Sequence, residues 1–94
     1  RYPAMMYLSI IYTNNGDHKA AIEILRIMMA DPESSEWAPY GYYWLGYNYE
    51  AQNDVGKSAD CYRASIMESA KSEEPSAKIK LLELDSFEGL AKYN

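Results

Sequence analysis

Apolar residues at the start of the chain recur every three or four positions, which is the spacing of one buried stripe on an α-helix. In residues 2–13 the stripe consists of Met5, Leu8, Ser9 and Tyr12. In residues 17–30 it consists of Ala21, Ile24, Leu25 and Met28. Between them, residues 14–16 (Asn-Asn-Gly) tolerate a left-handed backbone, and Asp17 is placed to cap the second helix. The pattern therefore predicts two helices joined by a tight turn.

The same pattern continues along the chain. Asp31 and Pro32 end the second helix, and residues 33–37 are expected to form a connector. Third and fourth helices are predicted over residues 38–52 and 54–70, and a fifth over residues 75–93. The apolar side of the fifth is formed by Ile79, Leu82, Leu84, Phe87 and Leu90. Because the connections are short, sequential helices are expected to be antiparallel neighbours.

The chain repeats itself with a period of 37 residues. At five positions, the residue of the first copy and its counterpart in the second share one character: both are small, both aromatic, both turn-forming or both bulky. Ser9, Tyr12, Asp17, Ala21 and Leu25 correspond in that order to Gly46, Tyr49, Asp54, Ser58 and Tyr62. A fixed period of this size is typical of stacked helical repeats. We therefore assign residues 2–34 to one repeat and residues 38–70 to a second.

The repeated positions resemble the signature of the tetratricopeptide repeat (TPR) family. The second copy matches that signature with Tyr42, Leu45, Gly46, Tyr49, Ser58 and Tyr62. The first matches it with Met5, Leu8, Ser9, Tyr12, Ala21, Leu25 and Pro32. The first copy lacks the family's Trp and Gly, and the period is longer than the family's usual length of about 34 residues. The resemblance implies an all-α, right-handed helical-repeat solenoid, here with about five helices.

Two interpretations of residues 75–93 remain open. In one, this helix is a cap whose apolar side covers the last repeat while its charged residues face water, since the ends of a solenoid need a polar outer surface. In the other, it is the start of a third repeat. The chain begins with Arg1 rather than Met, so we expect residues 1–94 to be a single repeat domain from a longer protein.

Composition and charge narrow the classes of partner. With 48% hydrophobic and 24% charged residues the chain is globular. The formal net charge of −5, without clusters of Lys and Arg, argues against nucleic acid and anionic membrane surfaces. No apolar run approaches the length of about 20 residues that direct membrane insertion needs.

The compartment is suggested by two features. The single cysteine, Cys61, excludes an internal disulfide and favours a reducing compartment such as the cytoplasm. The run Trp37-Ala38-Pro39, together with the longer period, resembles variant repeats of bacterial envelope assembly and division proteins. The bacterial cell envelope is therefore the alternative location.

Catalytic and metal-binding patterns are sparse. His18 is the only histidine, and Cys61 has no other residue to act as its base. The carboxylates after residue 72 follow no known cation-binding loop and are interpreted as a solvated helix face. We therefore expect no catalytic residues, no metal site and no cofactor.

Tyrosine is unusually abundant, with ten in 94 residues and five of them between positions 40 and 49. The matched positions Tyr42, Leu45 and Tyr49 belong to the packing face of the third helix. The remaining stripe, together with its counterpart in the first helix, is predicted to line a concave groove. These groove residues are Tyr40, Tyr43, Tyr47, Met6, Ile10 and Thr13. The alternative is that a neighbouring repeat or the fifth helix covers the stripe.

These features predict a non-enzymatic protein-interaction module. The resemblance implies a partner peptide or helix lying in the concave groove, and the acidic, tyrosine-rich surface favours an apolar or basic partner. One alternative is a structural segment that self-associates or stiffens a larger scaffold; a two-repeat unit is expected to form a homo-oligomer through an exposed end. The other alternative is an accessory domain of an enzyme.

Overall fold

The structure, a computed structural model, describes residues 2–71. This part of the chain is all-helical. It contains α1 (Tyr2–Asn14), α2 (His18–Met29), a 3-10 helix (Pro32–Trp37), α3 (Ala38–Ala51) and α4 (Val55–Ala70). The all-α prediction is confirmed, and the connector predicted over residues 33–37 is a short 3-10 helix. The described residues hold four α-helices, not five, and the fifth predicted helix, residues 75–93, lies outside them.

The turns between α1 and α2 and between α3 and α4 are built alike, one period apart. Gly16 and Asn53 adopt positive φ angles of 80° and 63°, a conformation that glycine and asparagine tolerate best. Asp17 and Asp54 follow them, and each carboxylate accepts a hydrogen bond from the backbone N–H three residues later, at 3.3 and 3.2 Å. Both aspartates are therefore N-caps, as predicted.

The hydrophobic core lies where α1, α2 and α3 meet. Its buried members are Met6, Ile22, Leu25, Met28 and Leu45. Two predictions for this core were wrong in detail. Leu8, expected in the buried stripe of α1, is 43% exposed. In α2, Ile24 is only partly buried, and Ile22, which was not predicted, is buried instead.

Leu8 is exposed because a different side of α1 packs on α2 and α3. Its buried residues are Met6, Ser9 and Thr13, so the face that carries Leu8 points away from α2 and α3. The counterpart of Leu8 in the second copy, Leu45, is 5% exposed because it packs against α2. Equivalent side chains thus differ in burial because only the second copy has a described helix before it.

α3 and α4 pack closely and run antiparallel. The Ser58 hydroxyl donates to the Gly46 carbonyl at 2.9 Å, and the Ser65 hydroxyl donates to the Pro39 carbonyl at 2.7 Å. As the chain advances along α4, its contacts therefore move back along α3. A Cβ atom built on Gly46 would lie 2.9 Å from the Tyr62 ring, which explains why this position is glycine.

Candidate functional site

The six residues predicted to line a groove differ in exposure. Met6 and Thr13 are buried, Ile10, Tyr40 and Tyr43 are partly buried, and Tyr47 is 43% exposed. Met6 belongs to the core cluster, so its side chain fills the interior rather than a surface. Among the six, Tyr47 therefore presents the largest accessible aromatic surface.

Tyr47 stands at the exposed end of a row of packed rings on α3. Its ring centroid lies 5.8 Å from that of Trp44, at an interplanar angle of 62°. Trp44 in turn packs edge-to-face on Tyr43, with centroids 5.3 Å apart. Edge-to-face contacts of this kind are favourable for aromatic pairs and restrict the motion of the rings. Tyr47 is thus an exposed aromatic side chain that packs on the ring of Trp44.

The other two tyrosines of the predicted stripe contact different elements. The ring of Tyr40 lies 6.1 Å from Trp37, at the end of the 3-10 helix. The ring of Tyr43 lies 6.0 Å from Tyr62 of α4. The stripe is therefore not one continuous row of equivalent residues, because its members at positions 40 and 43 also hold adjacent elements together.

Thr13 takes part in a buried hydrogen-bond network centred on Asn48. The Asn48 amide nitrogen donates to the Thr13 hydroxyl at 3.0 Å and to the Trp44 carbonyl at 2.8 Å. Its carbonyl oxygen lies 2.8 Å from Nδ1 of His18 and accepts a hydrogen bond when that nitrogen carries the hydrogen. Asn48 is fully buried, and its side chain joins α1, the start of α2 and α3.

Sequence reasoning missed Asn48 and Trp44. The signal for Asn48 was present, since it is an amide in the middle of an aromatic-rich helix, where a buried polar group needs partners. The signal for Trp44 was its position three residues before Tyr47 on the same helix, which places the two side chains close together. Both residues support the surface that carries Tyr47.

Cys61 is a free, partly buried cysteine on α4. Burial, followed by the negative charges of Asp60 and Asp54, raises the pKa of the Cys61 thiol from 9.0 to about 11. The thiol therefore stays protonated near neutral pH, and the thiolate is the reactive form.

Within residues 2–71 no group of three or more potential ligands is arranged to hold a metal ion. In the same range, every helix is too short or too polar to cross a membrane.

No protein-family model, curated protein or solved structure matches this chain. The resemblance to the TPR family therefore rests on the repeated residues themselves. Any functional assignment depends on the surface and contacts of the described residues, because fold alone does not determine function.

Proposed function

We propose that this chain is a TPR-like helical-repeat module, with residues 2–34 and 38–70 stacked as a right-handed solenoid. Three observations support the proposal. The helix–turn–helix connections share one geometry a period apart, with left-handed residues at Gly16 and Asn53. The small residues Ser9 and Gly46 are both buried at equivalent positions. Each helix also packs on the next one in the sequence, as in other helical repeats.

The function we propose is non-enzymatic binding of a partner peptide or helix, with Tyr47 as the main anchor. The observation that carries this proposal is the exposure of Tyr47 on top of Trp44. Aromatic side chains dominate binding hot spots because they bury a large area and lose little conformational freedom. A tyrosine already held by a neighbouring ring loses even less freedom when a partner binds.

The first repeat supplies the second half of the proposed surface. Ile10 occupies the position equivalent to Tyr47 and is partly exposed. The hydrogen bond between Thr13 and Asn48 joins α1 to α3 one residue away from Tyr47. Ile10 and Tyr47 would thus contact the partner directly. Of the other predicted groove residues, Tyr40 and Tyr43 would contribute their exposed edges, and the buried Met6 and Thr13 would hold α1 in position.

The chemistry of the partner follows from charge and surface. The chain has a formal net charge of −5, so a basic segment is attracted and an acidic one repelled. Tyr47 and Ile10 offer apolar area with one hydroxyl group. We therefore propose a partner segment with at least one apolar side chain beside Lys or Arg residues.

The experiment is a selection from a random peptide library on the immobilised chain, followed by titration of the selected peptide. Replacing Tyr47 by Ala should weaken binding about 30-fold, which corresponds to the roughly 2 kcal/mol of a hot-spot residue. The matched control is Ile27→Ala, since Ile27 is 59% exposed and lies on α2. This control should bind like the parent.

A Tyr47→Ala variant that keeps its helicity and binds the peptide as tightly as the parent would count against the proposal. Circular dichroism of each variant separates a loss of binding from a loss of folding. Because Tyr47 is largely a surface residue, we expect its replacement to leave the helical signal unchanged.

A further inference from the structure

The side of α1 that faces away from α2 and α3 is apolar and exposed. It consists of Ala4, Tyr7, Leu8 and Ile11, which we call the α1 outer face. These residues recur at the helical spacing of one stripe, and Ile11 is 53% exposed. α1 contains no charged residue, so this face lacks the polar side chains that normally cover a surface helix.

The internal repeat shows what kind of element fits such a face. One period later, the equivalent positions of α3 are Gly41, Trp44, Leu45 and Asn48. Gly41 and Leu45 are buried, and α2 packs on them through Met28 and Met29. The face of α3 that is equivalent to the α1 outer face therefore holds another helix. The α1 outer face therefore lies at the position that holds a helix in the second copy, with Ala4 in place of Gly41.

We propose that the helix received by this face is α1 of a second copy, and that the chain forms a two-fold symmetric dimer. Charge favours this occupant. Each copy carries a net charge of −5, so two copies repel each other over most of their surface. At α1 they can approach without placing like charges together, because residues 2–14 contain none.

The spacing of the face is also self-complementary. If two copies of α1 pack antiparallel around an axis between Tyr7 and Leu8, Ala4 lies opposite Ile11 of the partner subunit. In the same arrangement Tyr7 lies opposite Leu8 of the partner subunit. A small residue then meets a large one at each end, which lets the side chains of the two helices interlock. A two-fold interface requires such self-complementarity.

The interface is small, and its affinity is expected to be modest. α1 has 13 residues and is therefore about 20 Å long. One helix face of this length buries less than the roughly 800 Å² per partner of a standard interface. The dimer should therefore dissociate at micromolar concentrations rather than persist on dilution.

Sedimentation equilibrium of the full chain over a range of concentrations tests the proposal. The parent should show a reversible monomer–dimer equilibrium. The Ile11→Lys variant should dissociate at least about tenfold more readily, because a lysine would be buried against Ala4 of the partner subunit. Ile27→Lys is the matched control, since it changes the same residue type at 59% exposure on α2, and it should dimerise like the parent.

A double variant tests the antiparallel register. Ala4→Glu and Ile11→Lys, combined in one chain, would place opposite charges across the axis at both ends of the interface. This variant should dimerise more tightly than the sum of the two single effects predicts. A parent that is monomeric at every concentration, an Ile11→Lys variant that dimerises like the parent, or a double variant that is merely additive would overturn the proposal. Circular dichroism checks that all variants remain helical.

Discussion

The Tyr62 ring occupies the space that a side chain at Gly46 would need. A Cβ atom at Gly46 would lie 2.9 Å from two carbons of that ring, and Tyr62 is only 3% exposed. The ring therefore has little room to move away. This contact sets how closely α3 approaches α4 and accounts for the small residue at the most distinctive position of the repeat.

Replacing Gly46 by Leu should lower the free energy of unfolding by roughly 1–3 kcal/mol, the usual cost of overpacking. The measurement is urea denaturation followed by circular dichroism. The matched control is Gly56→Ala in α4, where a Cβ would meet no atom within 4 Å. That change should leave the free energy of unfolding unchanged or raise it by less than about 0.5 kcal/mol, because Gly56 lies in the first turn of α4, where alanine gains less than in a helix interior. Equal denaturation midpoints for Gly46→Leu and the parent would refute the proposed register of α3 against α4.

The network around Asn48 gives a second prediction. Asn48→Ala should cost about 1–3 kcal/mol, because the change removes the buried contacts of the Asn48 side chain with the Thr13 hydroxyl, the Trp44 carbonyl and Nδ1 of His18. The exposed Asn15 is the control, and Asn15→Ala should change stability by less than about 0.5 kcal/mol. A double-mutant cycle of Asn48→Ala with Thr13→Val measures the coupling directly, and additive effects would show that the two side chains do not stabilise each other.

Cys61 gives a prediction about reactivity. Because the pKa of its thiol is raised to about 11, alkylation by iodoacetamide should be slow at pH 7 and should reach half its limiting rate near pH 11. The same reagent on the unfolded chain should show a midpoint near the ordinary value. A folded protein that is alkylated at pH 7 as fast as the unfolded chain would contradict the burial of this thiol.

The same shift predicts how stability depends on pH. The folded chain holds the Cys61 proton more tightly than the unfolded chain does. The stability that this proton contributes is therefore fully present below pH 9.0 and is lost as the pH rises towards about 11. To isolate the effect of this thiol, the parent is compared with Cys61→Ala. The parent should lose stability more steeply over this range than the variant, and parallel curves would contradict the assignment.

Local features of the fold could be predicted from the sequence, because they depend on neighbouring residues. The caps at Asp17 and Asp54 and the helix ends follow from side chains within a few positions. The period was visible because each turn needs the same backbone geometry. These local features do not depend on which surfaces the rest of the chain buries.

The rotation of α1 and the polar network could not be predicted in the same way. Spacing identifies a stripe on α1, but which stripe is buried depends on the helices around it, and Leu8 lacks the covering helix that Leu45 has. Thr13 and Asn48 are far apart in the sequence, and their pairing depends on how α1 and α3 pack. The groove prediction was affected by the same problem, because it assigned Met6 to a surface when its side chain lies in the core.

The most direct test of the central claim, that Tyr47 anchors a partner segment, uses Trp44 as a reporter. The chain has two tryptophans, and Trp44 is the one in contact with Tyr47, whereas Trp37 packs on Tyr40. Fluorine NMR of protein labelled with 5-fluorotryptophan, assigned with Trp37→Phe, follows both residues during titration with a selected peptide. We predict a saturable shift of the Trp44 signal that is lost in Tyr47→Ala and retained in Ile27→Ala. A peptide that binds while the Trp44 signal stays unchanged, with equal affinity for the parent and Tyr47→Ala, would contradict it.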